Sequence, residues 1–333
     1  MEFTDHIVAL NRDIEPYIVQ ASATRSIYFK DKFGDPFVPL QFVHLSDIHF
    51  VQELWDRMIE YVNHYSEYFS FALHTGDYCG NSQSVYSDCY GNAPACQVPI
   101  FNCVGNHDTI ATKFATEQQP KDTTHALLFN HTEGWDVNFM DIPHSMTYYK
   151  DFPESNVRLI VLDLYYHLEE QKPWLRTLLD DARENGLHVI TAAHQPTGEI
   201  NDTYGVTFHT MNDYISICGR EKTSFFEEEI VKFIQSGGHF ICHLAGHLHH
   251  DMFGLTDAGV LNVTVPCATS WPNWCDGKRV KGTRTYDCFN AVCVDVNLGL
   301  LKIVRIGDGV DHYLRSRRVL CFDYINKKVI SNL

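Results

Sequence analysis

Five short polar clusters in the chain carry side chains of the types that can bind metal ions. They are Ser-Asp-Ile-His with Asp47 and His49, Gly-Asp with Asp77, Gly-Asn-His-Asp with Asn106, His107 and Asp108, Ala-Ala-His-Gln-Pro with His194, and Gly-His-Leu-His with His247 and His249. Asp47, His49, Asp77, Asn106, His194, His247 and His249 together offer two carboxylates, four imidazoles and one amide. Oxygen and nitrogen donors without thiolate suit Mn, Fe, Zn, Co or Ni and disfavour an iron–sulfur cluster. Seven ligands are too many for one tetrahedral ion and suit two ions that share a carboxylate. Each cluster alone is ordinary, since a lone histidine at a strand end is commonly a packing residue and a lone Gly-Asp a turn. Their conjunction argues for chemistry.

Elements must bring these clusters together, and the apolar pattern supplies them. VPLQFVHLS, FALHTG, VPIFNCVG, NVRLIVLDL, LHVITAA and HFICHLAG read as strands, with helices expected near 51–67, over 171–185 ahead of Gly186, and at about 224–236. Strands alternating with helices predict an α/β sheet with buried inner strands. VLNVTVP, NAVCVDVN, LLKIVRIG and RVLCFDY follow with few helices between them, so the second half closes on a more antiparallel sheet, with a hairpin turn at Asn297-Leu298-Gly299. The polar clusters fall at strand ends, where such folds gather ligands from distant parts of the chain. In Asp47-Ile48-His49 and His247-Leu248-His249, alternate residues can point one way while the apolar residue between them anchors the backbone. Gly76, Gly105 and Gly246 each precede a cluster, where the chain needs positive φ or a close approach. His44 and His74 lie inside strands as packing residues, and His243 and His250 flank the last cluster without being needed as ligands.

In order, the clusters DIH, GD, GNHD, H and GHLH resemble the signature of the calcineurin-like metallophosphoesterases over roughly residues 38–310. That resemblance implies a four-layer αββα sandwich of two mixed sheets flanked by helices. It implies Asp47, His49 and His249 on one metal, Asn106, His194 and His247 on the other, and Asp77 bridging. The cofactors would be two divalent or mixed-valence ions, with Mn, Fe and Zn foremost. The activity implied is hydrolysis of phosphomono- or phosphodiesters, with a metal-bridging hydroxide attacking in line. His107 would act as proton donor, with Asp108 orienting its ring. The purple acid phosphatase branch is excluded: its first motif lacks a histidine where His49 stands, and its tyrosine ligand falls where Gly80 stands. Two other readings remain, a nuclease acting on DNA or RNA and a metal-bearing scaffold without turnover.

Bulk properties narrow the partners. The chain has 333 residues, 44% apolar and 20% charged, with a formal net charge of −16. It is globular, and its acidity weighs against a surface built for nucleic acid or anionic membrane. A small phosphorylated substrate is the expected partner. No apolar run reaches the ~18 residues of a membrane span, and the N-terminus has no signal-peptide core, so a cytoplasmic location is expected. Most of the eleven cysteines are then reduced, buried thiols, the rival being a disulfide among Cys267, Cys275, Cys288 and Cys293. Residues 1–36 read as a helical extension packed on a domain spanning 37–333, with insertions near 197–223 and 268–289. The second insertion sets Lys278, Arg279, Lys281 and Arg284 beside Trp271 and Trp274, as a phosphate-binding or simply solvated loop.

Overall fold

The computed structural model describes residues 37–49, 51–78, 96–110, 132, 134–142, 145–198, 200–201, 226–249, 252–265, 288–307 and 319–332. The expected N-terminal extension and most of both expected insertions, including the Lys/Arg/Trp loop, lie outside these residues. So do Gly80, His250, Cys267 and Cys275.

Two mixed sheets face each other. The first holds seven strands in the order β15 (Lys328–Asn332), β14 (Val319–Asp323), β13 (Leu300–Gly307), β12 (Cys288–Asp295), β1 (Leu40–Leu45), β2 (Phe71–His74) and β3 (Ile100–Asn102). The second holds eight: β4 (Asn138–Phe139), β5 (Tyr148–Phe152), β6 (Val157–Val161), β7 (His188–Ala192), β9 (His239–Ala245), β11 (Leu261–Thr264), β10 (Met252–Thr256) and β8 (Ile200–Asn201). Strands β1, β2 and β3 run parallel, as do β6, β7, β9 and β11. The late strands β12 to β15 pair antiparallel, with β12 seated directly against β1.

Aromatic rings fill the space between the sheets. Phe42 stacks on Phe71 at 4.5 Å, and Phe71 in turn on Phe152 of the second sheet at 5.1 Å. Helix α1 (Gln52–His64) covers the outer face of the first sheet through Trp55 on His74 and Tyr61 on Phe289. The short helix α2 (Asn106–Ile110) follows β3. Helices α3 (Leu168–Glu184) and α4 (Glu227–Gln235) cover the second sheet through Leu175, Leu179, Ile230 and Phe233. The architecture is the expected αββα sandwich. Helix α3 closes at Asn185 with Gly186 at φ +68°, as its sequence indicates. Strands β5, β10 and β15 are not among the expected elements. Residues of β5 carry half-buried polar groups, Gly254 interrupts β10, and β15 is a largely exposed edge strand with only Val329 and Ile330 apolar. None has the continuous apolar run that marks an inner strand. Among the described residues no helix is long and apolar enough to cross a membrane.

Cys96, Cys103, Cys242, Cys288, Cys293 and Cys321 carry free thiols, all buried except Cys96. Asn262 sits in a sequon, yet its side chain is fully buried and bonded to the backbone of Thr197, out of reach of glycosylation.

Three buried histidines make the fold acid-sensitive. Burial, with Arg305 adding to it, pushes His44 down to about 3; burial pushes His188 and His243 down to about 4, with His239 adding at His188. The unfolded chain therefore takes up protons near the ordinary value of 6.5 that the native state refuses. Their contribution is intact above that pH and is lost as pH falls toward 4, at up to about 1.4 kcal/mol per pH unit for each group. Asn at position 188 would keep an acceptor for the Tyr324 hydroxyl, which lies 2.6 Å from His188 Nδ1. Urea midpoints of His188→Asn should fall less steeply between pH 6.5 and 4.5 than those of the parent. An identical slope would mean that His188 titrates normally.

Candidate metal centre

Loops at the C-terminal ends of β1, β2, β3, β7 and β9 converge at one end of the sandwich. The first brings Asp47 and His49, the second Asp77, and the third the start of α2, which carries Asn106, His107 and Asp108. The last two bring His194, then His247 and His249. All seven expected ligand residues, with His107 and Asp108, are gathered there.

The backbone of these loops is unusual. Asp47, His49, Asp77, His247 and His249 lie in the left-handed region, with φ of 55°, 42°, 59°, 64° and 58°. A non-glycine residue pays about 1 kcal/mol or more for that conformation. Ile48 and Leu248 are buried between the paired candidate ligands, which sit on left-handed turns rather than extended segments. Cross-loop bonds hold the arrangement: Asp47 N–H donates to Gly76 O at 3.0 Å, His49 N–H to Asp77 O at 3.1 Å, and Gly246 N–H to His194 O at 2.9 Å. The glycines separate into the two anticipated uses. Gly76 has φ +101°, whereas Gly105 and Gly246 serve close approach. A Cβ on Gly105 would sit 2.1 Å from Asp77 Oδ1, and one on Gly246 would sit 1.8 Å from Ser46 Oγ.

Each carboxylate divides its work. Asp47 Oδ2 accepts the His247 N–H at 3.0 Å, leaving Oδ1 toward His249 Nε2 at 3.1 Å. Asp77 Oδ1 accepts the His107 N–H at 2.8 Å, leaving Oδ2 toward His194 Nε2 at 3.2 Å and His49 Nε2 at 4.0 Å. Two groups result, Asp47–His49–Asp77–His249 and Asp77–His194–His247, and within each the ligand atoms lie within 4.8 Å of one another. Asp77 belongs to both. Asn106 Oδ1 joins the second, 3.0 Å from His194 Nε2 and 2.8 Å from His247 Nδ1.

Charge follows from this crowding. Burial opposes ionisation of Asp47, but His249, His194 and His49 outweigh it and hold its carboxyl well below the ordinary range. Burial likewise opposes charge on Asp77 and His194. Their mutual attraction prevails, keeping the Asp77 carboxyl low and raising His194 to about 9. His49 goes the other way: burial lowers it despite both carboxylates. A metal ion at His194 Nε2 would therefore take the place of a proton. His194 Nδ1 faces Thr75 O at 2.7 Å, the bond that aims Nε2 into the cluster.

The donor set fits metal ions better than it fits itself. His49 Nε2 and His249 Nε2 lie 3.1 Å apart, and His247 Nδ1 and His194 Nε2 3.2 Å apart. Pairs of imidazole nitrogens that close, backed by two carboxylates, concentrate lone pairs that a cation would share.

The sequence profile described as calcineurin-like phosphoesterase matches residues 40–251, well over half of the chain. The chain belongs to the calcineurin-like phosphoesterase family. Among solved structures, a dimetal phosphatase from Danio rerio is 13% identical, with a TM-score of 0.53, over 82% of this chain and 97% of that one. At that identity the likeness bears on the fold alone. GAP50, the anchor in the inner membrane complex of Plasmodium, is 12% identical over 89% and 88% of the two chains, with a TM-score of 0.46. TT1561 of Thermus thermophilus is 10% identical over 88% and 98%, with a TM-score of 0.42. No curated protein matches the sequence.

In this calcineurin-like phosphoesterase, His107 is more open than its neighbour His49: its side chain is 17% exposed, against 2%. Its Nε2 lies 3.9 Å from Asp77 Oδ2, and its ring meets His49 edge-on at 4.9 Å. Asp108 Oδ2 accepts the N–H of Gly105 at 2.8 Å and of Asp77 at 2.9 Å, so it ties the two loops that carry these residues. That task, and the Thr75 carbonyl behind His194, left no mark in the sequence, because both run through backbone atoms. His243 has its ring nitrogens at 2.8 Å from Thr191 Oγ1 and 3.0 Å from Gln195 O, in keeping with a non-ligand. His74 and His44 are fully buried packing residues.

Proposed function

We propose that this chain hydrolyses phosphomono- or phosphodiesters with two metal ions, Mn, Fe or Zn, one held by Asp47, His49 and His249 and the other by Asn106, His194 and His247, with Asp77 shared. The observation that supports this most is the membership of Asp77 in both groups. When bound, two such ions supply a nucleophile at neutral pH and offset the charge of the phosphate. The chain's own residues do the rest. The left-handed loops hold the ligand atoms in place before substrate arrives, which spares reorganisation during reaction. Partly exposed Asn106, His107 and His247 line the open side, where an ester would enter. His107 holds a proton at its ring for the leaving oxygen. Asp108 positions His107 by fixing the Gly105–Asp108 segment through the two amides it accepts.

His107→Asn should lower turnover by about 10²–10⁴-fold while two metals per chain remain bound. Metal loss in that variant would make His107 a ligand and overturn its assignment. The substrate class is read with Mn²⁺-loaded protein on p-nitrophenyl phosphate and bis-p-nitrophenyl phosphate. Two bound metals with no hydrolysis of either would favour a scaffold over an enzyme.

A further inference from the structure

Beneath the shared carboxylate lies a buried path that joins the two sheets. Tyr78, directly after Asp77, is 1% exposed; its ring stacks on His74 at 3.6 Å and meets Trp55 at 5.5 Å. Its hydroxyl donates to Asn102 Oδ1. Asn102 ends β3, is fully buried, and donates through Nδ2 to Thr132 Oγ1 at 3.0 Å. Its backbone is bound twice by one hydroxyl of the facing sheet, with Asn102 N–H donating to Tyr148 Oη at 2.8 Å and Tyr148 Oη donating to Asn102 O at 3.0 Å. Asn102 thus stands between two loops of the centre: through Tyr78 it reaches Asp77, and four residues along its own chain it reaches Asn106.

An apolar residue would pack in this interior more cheaply than an amide that needs every polar atom satisfied. The amide's specific yield is direction. Asp77 is held left-handed at φ 59°, and the residue after it is clamped by ring stacking on one side and by the Asn102 acceptor at its tip. Tyr78 therefore points its phenol away from the ligand cluster.

We propose that Asn102 and Tyr78 are positioning residues for the metal centre: their hydrogen bond fixes the orientation of Asp77 relative to Asn106, and with it the fit of both metal sites. The inference rests on the proposed two-metal reading. Outer partners of ligands typically contribute about 10–100-fold in metal affinity.

The test is calorimetric titration of metal-free full-length chain with Mn²⁺, alongside metal content and thermal unfolding. Tyr78→Phe keeps the ring stack and removes the bond; it should bind Mn²⁺ about 10–100-fold more weakly at one or both sites. Asn102→Leu, which also removes the bond to Thr132, should weaken binding at least as much, and the double variant should lose no more than the weaker-binding single variant, since both remove the Tyr78–Asn102 bond. Tyr324→Phe strips an equally buried hydroxyl from His188, at the far end of β7 from the ligands; it should lower the melting temperature and leave Mn²⁺ binding unchanged. Should Asn102→Leu fail to fold, Tyr78→Phe against Tyr324→Phe decides the matter alone. Wild-type affinity in Tyr78→Phe, with only its melting temperature reduced, would overturn the positioning role. A parent protein that binds no Mn²⁺ would instead sink the two-metal reading.

Discussion

Replacing Asp77 by Asn should cost about 10³-fold in turnover, close to 4 kcal/mol of barrier, and reduce bound metal to one ion or fewer per chain. The substitution keeps the side chain's volume and retains one acceptor for the His107 amide, now 2.8 Å from Oδ1. What it removes is the second oxygen, the atom that faces His194 at 3.2 Å and His49 at 4.0 Å. An amide NH₂ there offers no lone pair and points hydrogens at a cation. Both groups depend on that position, so both weaken together. Loss of the carboxylate also removes the largest attraction that raises His194 to about 9, leaving Asp47 and the Thr75 carbonyl to oppose burial. Metal content and rate measured on the same preparation check this. Two metals and more than a tenth of the parent rate would show that Asp77 is not shared.

Gly105→Ala should be nearly as severe for a different reason. Its methyl group would meet Asp77 Oδ1 at 2.1 Å and the Asp77 backbone nitrogen at 2.3 Å. Because one of those atoms is backbone, the loop itself must move, carrying Asp77 and the adjacent Asn106. Displacements on the order of 1 Å at a reacting centre cost about 100-fold in rate. Gly186→Ala is the control. It imposes a left-handed conformation on alanine at φ +68°, but nothing lies within 4 Å of the added carbon. It should cost about 1 kcal/mol of stability and leave activity untouched. Equal activity in both variants would remove steric registry from the account of the centre.

The seven candidate ligand residues could be picked out in the sequence because metal chemistry limits their types and strand ends limit their places. The inner strands were legible for a related reason: FALH in β2 and HVITA in β7 are buried along their whole length. Strand β5 was not, since Lys150 and Asp151 are half-buried and one strand of this kind looks like loop. The site's supports were hidden more deeply. Thr75 acts through its carbonyl, Asp108 through amides of residues 77 and 105, and Asn102 through a partner 24 positions away. A polar residue inside an apolar strand, as Asn102 is in IFN, was the one visible sign.

The 3.1 Å approach of His49 to His249 joins residues 200 positions apart, and this sets a clock on maturation. At the usual pace of synthesis, roughly 10–40 s separate the emergence of the two imidazoles from the ribosome. Until the later one arrives, Asp47, His49 and Asp77 lack the fourth member of their group. Even then β1, which carries them, still lacks β12, its neighbour on one side. On the proposed two-metal reading, loading would fall late in synthesis, since a chain released before residue 288 would carry all seven candidate ligands yet lack the strand that flanks β1.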